Sequence, residues 1–261
     1  MYFNSGGWVQ NCVINRNLSW SYGARGGGVY FASGGQIQNS IVYSNGAYNG
    51  DNYYGSGAFA YSCSTPLPSG AGNVSLDPQF VDGSNDDFHL ATNSPCIDAG
   101  SNDTWMVDAV DIEGKPRVIN GTVDMGAYES IPMGLDSDND GMPDWWEWDW
   151  GRSLTNMDAM ADADDDQFVN LSEYRANTRP LDGESFLGLL MPLTRYTGMG
   201  FVVQWQSASN RTYQLERSTN LVIGFFETAA VDIPATPPMN VYTDATAVLN
   251  GPYMYRVRTS P

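Results

Sequence analysis

Apolar and polar positions near the start of the chain recur at a fixed offset. Tyr2-Phe3-Asn4-Ser5-Gly6-Gly7-Trp8-Val9-Gln10-Asn11-Cys12-Val13-Ile14 returns 28 residues later as Tyr30-Phe31-Ala32-Ser33-Gly34-Gly35-Gln36-Ile37-Gln38-Asn39-Ser40-Ile41-Val42, and Asn17 recurs as Asn45. A period of this length, rich in β-branched residues and punctuated by glycine, predicts stacked repeats. The glycine density and the alternation Val9/Asn11/Val13 exclude helical repeats. Each unit is therefore expected to form one coil of a short right-handed parallel β-helix. Val9 should lie on Ile37 and Val13 on Ile41, about 4.8 Å apart. Asn17 over Asn45 should form an amide ladder, and a third, degraded coil should begin near Gly57-Ala58-Phe59-Ala60-Tyr61.

From Ser185 onward the pattern becomes that of antiparallel strands. Phe201/Val203/Trp205 alternate with Val202/Gln204/Gln206, Tyr213/Leu215 with Gln214/Glu216, and Tyr253/Tyr255/Val257 with Met254/Arg256/Arg258. Six or seven short strands over such a length predict a β-sandwich. Between these parts, Ser130 to Leu135 reads as a linker, and two short helices are predicted. The first runs from Pro143 to Gly151, with proline where helices accept it and glycine at the end. The second covers Val169 to Asn177 and stops before Pro180. The expected organisation is mainly β in three parts: 1–130 a parallel β-helix with a C-terminal cap, 131–184 a small α-helical module with acidic loops, and 185–261 the sandwich.

The chemistry concentrates in the middle part. Asp136, Asp138, Asp140, Asp144 and Glu147 occupy positions 1, 3, 5, 9 and 12 of one run, and Asp162, Asp164, Asp166, Asn170 and Glu173 those of another. This is the spacing of a twelve-residue calcium loop, with the backbone carbonyls of Met142 and Phe168 at position 7. Calcium takes roughly six to eight hard oxygens at about 2.3–2.6 Å, and a tightly curled loop brings sequence neighbours that close. The implied cofactor is two Ca2+ ions. Gln167 replaces the glycine of position 6, a left-handed position that costs a side chain about 1–2 kcal/mol. Pro143 at position 8 lacks an N–H, which should impair the strand pairing that joins two ordinary EF-hand loops.

These two runs resemble the dockerin and thrombospondin type 3 classes of calcium repeat, which implies metal bound for stability rather than signalling. A second resemblance covers 57–129. Its motifs are Asp77-Pro78-Gln79-Phe80-Val81-Asp82, Asp87-Phe88-His89-Leu90, Ser94-Pro95-Cys96-Ile97-Asp98-Ala99-Gly100, Asp111 with Gly114-Lys115-Pro116-Arg117, and Asp124-Met125-Gly126-Ala127-Tyr128-Glu129. They look like the C-terminal end of bacterial surface β-helix proteins, the choice-of-anchor group related to pectate-lyase-like repeats, which implies a secreted or cell-surface protein. The run from Trp205 to Leu221, with the terminal Tyr255-Arg256-Val257-Arg258, is similar to fibronectin type III-like modules, which usually space or adhere.

Net charge of −18 and a pI near 4.1 argue against nucleic acid or anionic membrane as partners. No apolar stretch is long enough to span a bilayer. The start carries no basic region or apolar run, so a secreted form is expected to have its true N-terminus upstream. Cys12, Cys63 and Cys96 make an odd count; Cys63 with Cys96 is the preferred pair, against three buried thiols. Arg117 between Asp111 and Asp124 reads as an ion cluster closing the last coil. Trp145, Trp146, Trp148 and Trp150 crowd one short helix, so some are expected to pack on a neighbouring domain, the alternative being a sugar-binding or self-association surface. The single histidine, His89, is read as a packing or surface residue, and no nucleophile–histidine–acid set can be drawn. The coil region offers only Arg16, Arg25, Lys115 and Arg117 as bases for a polysaccharide lyase, apart from the calcium carboxylates. The functional expectation is a non-catalytic, calcium-stabilised extracellular structural or adhesion protein that self-associates head to tail into a filament or binds another surface protein. The alternative is the non-catalytic glycan-binding or anchoring tail of a polysaccharide-degrading enzyme.

Overall fold

A computed structural model describes residues 1–190, 197–220, 222, 227–247 and 252–260. The protein is mainly β and divides into two compact units, Met1–Leu135 and Asp136–Pro261. Leu221, which ends one of the motifs quoted above, lies outside the described residues.

The first unit is built from three layers of short parallel strands. The first layer holds β1 (Tyr2–Phe3), β2 (Trp8–Gln10), β3 (Val13–Asn15) and β4 (Leu18–Ser19). The second holds β5 (Val29–Phe31), β6 (Gln36–Gln38), β7 (Ile41–Tyr43) and β8 (Gly46–Ala47), and the third β9 (Tyr53–Gly55), β10 (Ala58–Ala60) and β11 (Cys63–Ser64). Each strand pairs in parallel with its counterpart above: Val9 with Ile37 with Phe59, and Val13 with Ile41 with Cys63. The sequence repeat therefore reads directly as register. Ile37, Ile41 and Cys63 are almost wholly buried. Between β2 and β3 the chain bends at Asn11, and the same bend recurs at Asn39 and Tyr61, all three left-handed. Asparagine tolerates that conformation better than most side chains, so the alternation predicted through Asn11 is really a corner.

The repeated glycine pairs have a packing reason. A Cβ on Gly7 would come 2.8 Å from the Phe3 ring, as would one on Gly35, and both residues have positive φ. Phe3 stacks on Phe31 at 5.1 Å, so the flat ring column needs a side-chain-free wall beside it.

The third layer starts at Tyr53, earlier than the expected Gly57. Tyr30 pairs with Tyr54, an offset of 24, and Gln36 with Ala58, an offset of 22. Nine residues join β4 to β5 but five join β8 to β9; four join β5 to β6 but two join β9 to β10. Shorter corners hide the third repeat from a search at fixed period while leaving its inward positions in place.

The amide ladder forms and extends one step. Asn17 donates from its backbone and its Nδ2 to Asn45 Oδ1, at 3.0 and 2.9 Å, and Asn45 Nδ2 reaches Asn52 Oδ1 at 3.1 Å. A hydroxyl column runs beside it: Ser40 and Ser62 each donate to the carbonyl two residues back, and Cys12 takes the equivalent place with its thiol on Gln10 O.

The antiparallel pair β12 (Phe80–Asp82) and β13 (Asp87–Leu90) follows, and the segment to Glu129 closes this unit. The closing cluster holds the expected charges, with Asp111 and Asp124 both favouring the Arg117 cation, and adds Glu129 to them. Buried Arg117 donates to the carbonyls of Gly126 and Ala127 and faces Glu129 at 3.5 Å. Asp111 and Asp124 also accept backbone N–H groups, Asp111 from Glu113, Lys115 and Glu129, and Asp124 from Asp98 and Ser130. The acids tie the loops, and the arginine also faces Glu129, which the sequence reading passed over and whose carboxyl burial pushes up to about 9.

In the second unit, α1 (Asp144–Gly151) and α2 (Asn170–Ala176) precede two antiparallel sheets. The strands are β14 (Leu189–Leu190), β15 (Phe201–Gln206), β16 (Thr212–Ser218), β17 (Glu227–Pro234), β18 (Met239–Asp244) and β19 (Met254–Thr259), in the orders β14-β15-β18 and β17-β16-β19. The alternation seen in the sequence sends Val203 and Trp205 of one sheet and Tyr213 and Leu215 of the other into a shared core. Asp244 on β18 joins the sheets by accepting from Arg217 at 2.7 Å and Tyr255 at 3.0 Å.

Replacing Asn45 by alanine removes the acceptor of two Asn17 donors and the donor to the Ile14 and Tyr43 carbonyls. Urea unfolding should show a loss of roughly 2–4 kcal/mol, whereas Asn4→Ala, at an exposed position, should change little.

Candidate metal centre

Both acidic loops adopt the same local structure for the same reason: short carboxylates accept the backbone N–H groups of residues that follow them. In the first, Asp136 accepts from Asp140 and Gly141, Asp138 from Asp140, and Asp140 from Met142. In the second, Asp162 accepts from Asp166 and Gln167, Asp164 from Asp166, and Asp166 from Phe168. Within each triplet, one oxygen per aspartate lies within 4.8 Å of the others. Gly141 has φ +94° and Gln167 φ +77°, so the glutamine does occupy the turn that glycine fills in the first loop. No strand falls between Leu90 and Leu189, so the two loops are not joined by strand pairing.

The helices bring the remaining predicted residues under the loops. Pro143 and Val169 are the N-caps of α1 and α2, which start one residue later than expected. Glu147 and Glu173, one turn in, are fully buried. Glu147 accepts from Met157 N at 3.1 Å and Glu173 from Thr178 Oγ1 at 3.2 Å, and in each the second oxygen, Oε2, has no partner. Burial first, and then the charges of Asp138, Asp140 and Asp144, push Glu147 up to about 7. Burial and the aspartates of the second loop push Glu173 up to about 7 as well.

Position 9 differs between the loops. Both oxygens of Asp144 are held by Ser137, through its N–H at 2.7 Å and its hydroxyl at 2.6 Å. Asn170 donates to Asp158 O at 2.9 Å and leaves its Oδ1 buried without a partner. Asp144 thus braces its own loop. Met142 and Phe168 are drawn in by their N–H groups; the Met142 side chain plugs the core beneath, and Phe168 stacks on Phe186 at 5.8 Å.

Buried polar atoms normally find partners, and exceptions call for a reason. Among the described residues, ten buried side-chain polar atoms lack one, and five of them lie on residues the spacing had selected: Glu147, Asp164, Asp166, Asn170 and Glu173. Oxygen-only donors, converging charge and orphaned buried oxygens together suit a hard divalent cation. Compared with models of protein families, with curated protein sequences and with solved structures, the chain finds no significant match.

Three tryptophans of α1 pack within this module. Trp146 is buried with Met142, Met157 and Ala159, while Trp145 and Trp150 pack at the edge of that cluster with Leu171 and Tyr174. Trp148 is also buried, with the Arg152 guanidinium over its ring. His89 is pinned between Asp87 at 2.5 Å and Glu113 at 3.0 Å; burial disfavours its charge, but the two carboxylates outweigh this and raise its pKa.

Sequence reasoning missed Ser137, Asp158 and Thr178, whose signal is only a polar residue beside a ligand, and Arg211, which carried none. Arg211 donates through Nε and Nη2 to the carbonyls of Arg175 and Tyr174, satisfying the end of α2. Arg211→Ala should free those carbonyls and destabilise the helix by roughly 1–2 kcal/mol. Faster amide hydrogen exchange across 173–178, with exchange in β15 unchanged, is the expected result.

Proposed function

We propose that this is a non-catalytic, calcium-stabilised extracellular structural or adhesion protein. The observation that carries the reading is the pair of aspartate triplets, each backed by a buried glutamate with one unpartnered oxygen. Asp136, Asp138, Asp140, Asp144 and Glu147 would hold one Ca2+, with the Met142 carbonyl, Asp144 being braced by Ser137. Asp162, Asp164, Asp166, Asn170 and Glu173, with the Phe168 carbonyl, would hold the other. The cation supplies positive charge where carboxylates converge; the side chains supply its geometry. In this reading 131–184 is a structural calcium module of the dockerin or thrombospondin type 3 kind. The three parallel layers are a short right-handed β-helix, and the two antiparallel sheets a fibronectin-like sandwich. Sites of this sort fill where calcium is abundant, outside the cytoplasm.

Two surfaces favour partners. β1, β2, β3 and β4 each stand at the end of their sheets, so their outer edges can accept further strands, and head-to-tail addition of a second copy is the assembly proposed. The glycan-binding alternative draws on Trp20, Tyr22 and Tyr48, which are 71%, 92% and 58% exposed, with the two tyrosine rings 5.3 Å apart. Rings of this amphipathic kind suit a partner that is apolar on one face and wet on the other. No described helix is long and apolar enough to cross a membrane.

Calorimetric titration of metal-free protein should give two calcium sites, reduced to one in Glu147→Gln or Glu173→Gln. Withdrawing calcium from a site held at a thousandfold its Kd removes about 4 kcal/mol, so EDTA should lower the melting temperature by on the order of 10 °C. Folding raises both glutamates above their ordinary value, so the metal-free loops favour the protonated form up to about pH 7. Binding should therefore release up to about one proton per site near pH 6, declining above pH 8. Titration heats that fit no binding would overturn the assignment.

A sedimentation series and electron microscopy should reveal end-to-end oligomers in calcium. Monodisperse monomers, together with polysaccharide binding abolished by Trp20→Ala and Tyr22→Ala, would favour the glycan reading instead.

A further inference from the structure

Three cysteines occupy unlike surroundings. Cys12 stands in the hydroxyl column, its Sγ donating to Gln10 O at 3.0 Å, its backbone N held by Ser40, and its side chain packed beside the cluster around Val9 and Phe31. Cys63 and Cys96 both belong to a different cluster, with Ile41, Leu90 and Met125, and neither has any exposed surface. Both are free thiols in this structure.

The segments that carry these two are fixed independently. Cys63 lies in β11, its N–H bonded to Ser40 O and its neighbour Ser64 bonded to Val74 O. Cys96 is held on one side by Ser94, which donates to Pro78 O at 2.6 Å and accepts from Cys96 N at 3.1 Å. On the other side Met125 N donates to Cys96 O at 2.9 Å. Both side chains are packed into that one cluster, which joins the third layer to the closing segment, and the Cys63 thiol raises the pKa of its Cys96 neighbour. The Cys63 thiol also donates to the Leu76 carbonyl at 3.2 Å.

We infer that Cys63 and Cys96 are a disulfide site, a covalent clasp between the third strand layer and the segment that closes the first unit, with Cys12 left as a thiol. The step is a two-electron oxidation. Each thiol gives up a proton, one sulfur–sulfur bond forms, and two electrons pass to a glutathione-class disulfide, whose own bond breaks to release two thiols. The bond forms while the chain folds. Once the core is closed no oxidant reaches the pair, and the Cys63 thiol and burial hold the Cys96 thiol well above its ordinary pKa, against formation of the attacking thiolate. The clasp closes a loop of about thirty residues, a length at which cross-linking restricts the unfolded chain strongly. It is independent of the metal reading, because no predicted ligand lies in this cluster.

The full-length chain, reduced and denatured, is refolded with calcium in a mixture of reduced and oxidised glutathione, then alkylated and digested without reductant. Mass spectrometry should find one cross-linked peptide joining Cys63 to Cys96 and an alkylated Cys12. Three alkylated cysteines, or a link that includes Cys12, would overturn the assignment. In a second measurement, adding a reductant before heating should lower the melting temperature of wild type and of Cys12→Ala by on the order of 10 °C. It should leave Cys63→Ala/Cys96→Ala unmoved. Equal sensitivity in all three would likewise overturn it, and if the double variant does not fold, the peptide map decides alone.

Discussion

Repulsion between like charges is the constraint on which the second unit turns. Each acidic loop gathers three carboxylates whose oxygens lie within 4.8 Å of one another, above a glutamate sealed in the protein. A pair of ionised aspartates at that distance repels by about 1 kcal/mol in water and about 3.5 kcal/mol at an effective dielectric of about 20. Three backbone N–H groups of each loop offset part of this, through four hydrogen bonds to each triplet. The unpartnered oxygens of Glu147 and Glu173 are what the loop's own hydrogen bonds do not reach. The loops are thus preformed in shape and incomplete in charge.

That incompleteness extends beyond the loops through specific contacts. Glu147 is tied to the segment at Met157, whose side chain packs with Trp146, and Tyr174 packs against both Trp145 and Trp146 at the edge of the same core. From α2 the connection passes to the strands by Arg211 on the helix carbonyls, by Asn177 on Ser209 O, and by Phe168 against Phe186. Two short helices, each of about two turns, would be marginal on their own. Here both follow acidic loops, and the far end of α2 is held by Arg211 from the β part.

Much of this was legible in the sequence, for identifiable reasons. Parallel register follows from a repeat at constant offset, because identical inward residues stack only when aligned. So Val9, Ile37, Val13 and Ile41 fell where expected, and so did the asparagine ladder. The carboxylates at positions 1, 3 and 5 converge because curling of that loop is a local property. What stayed hidden depends on chain distant in sequence. The start of the third layer was obscured by shortened corners. Glu129 joined Asp111 and Asp124 around Arg117 unforeseen, since which acids face an arginine is set by how loops meet. Asp144 has the spacing of a ligand, and its oxygens also accept from Ser137, a contact that spacing rules do not include. Trp145, Trp146 and Trp150 found room in their own module because Met157 and Ala159, outside the helix, come back to pack with them.

The unequal corners of the strand layers have an evolutionary reading. Inward positions are bound to their neighbours above and below, so a residue gained or lost there would turn a whole strand inside out. The connections are under no such restraint: nine residues shrink to five at one bend and four to two at another without disturbing the stack. Variation in length is therefore channelled to the rim, and the stretch between Ser19 and Val29, which carries Trp20, Tyr22 and Arg25, is where new recognition loops could be grafted at least cost to the scaffold.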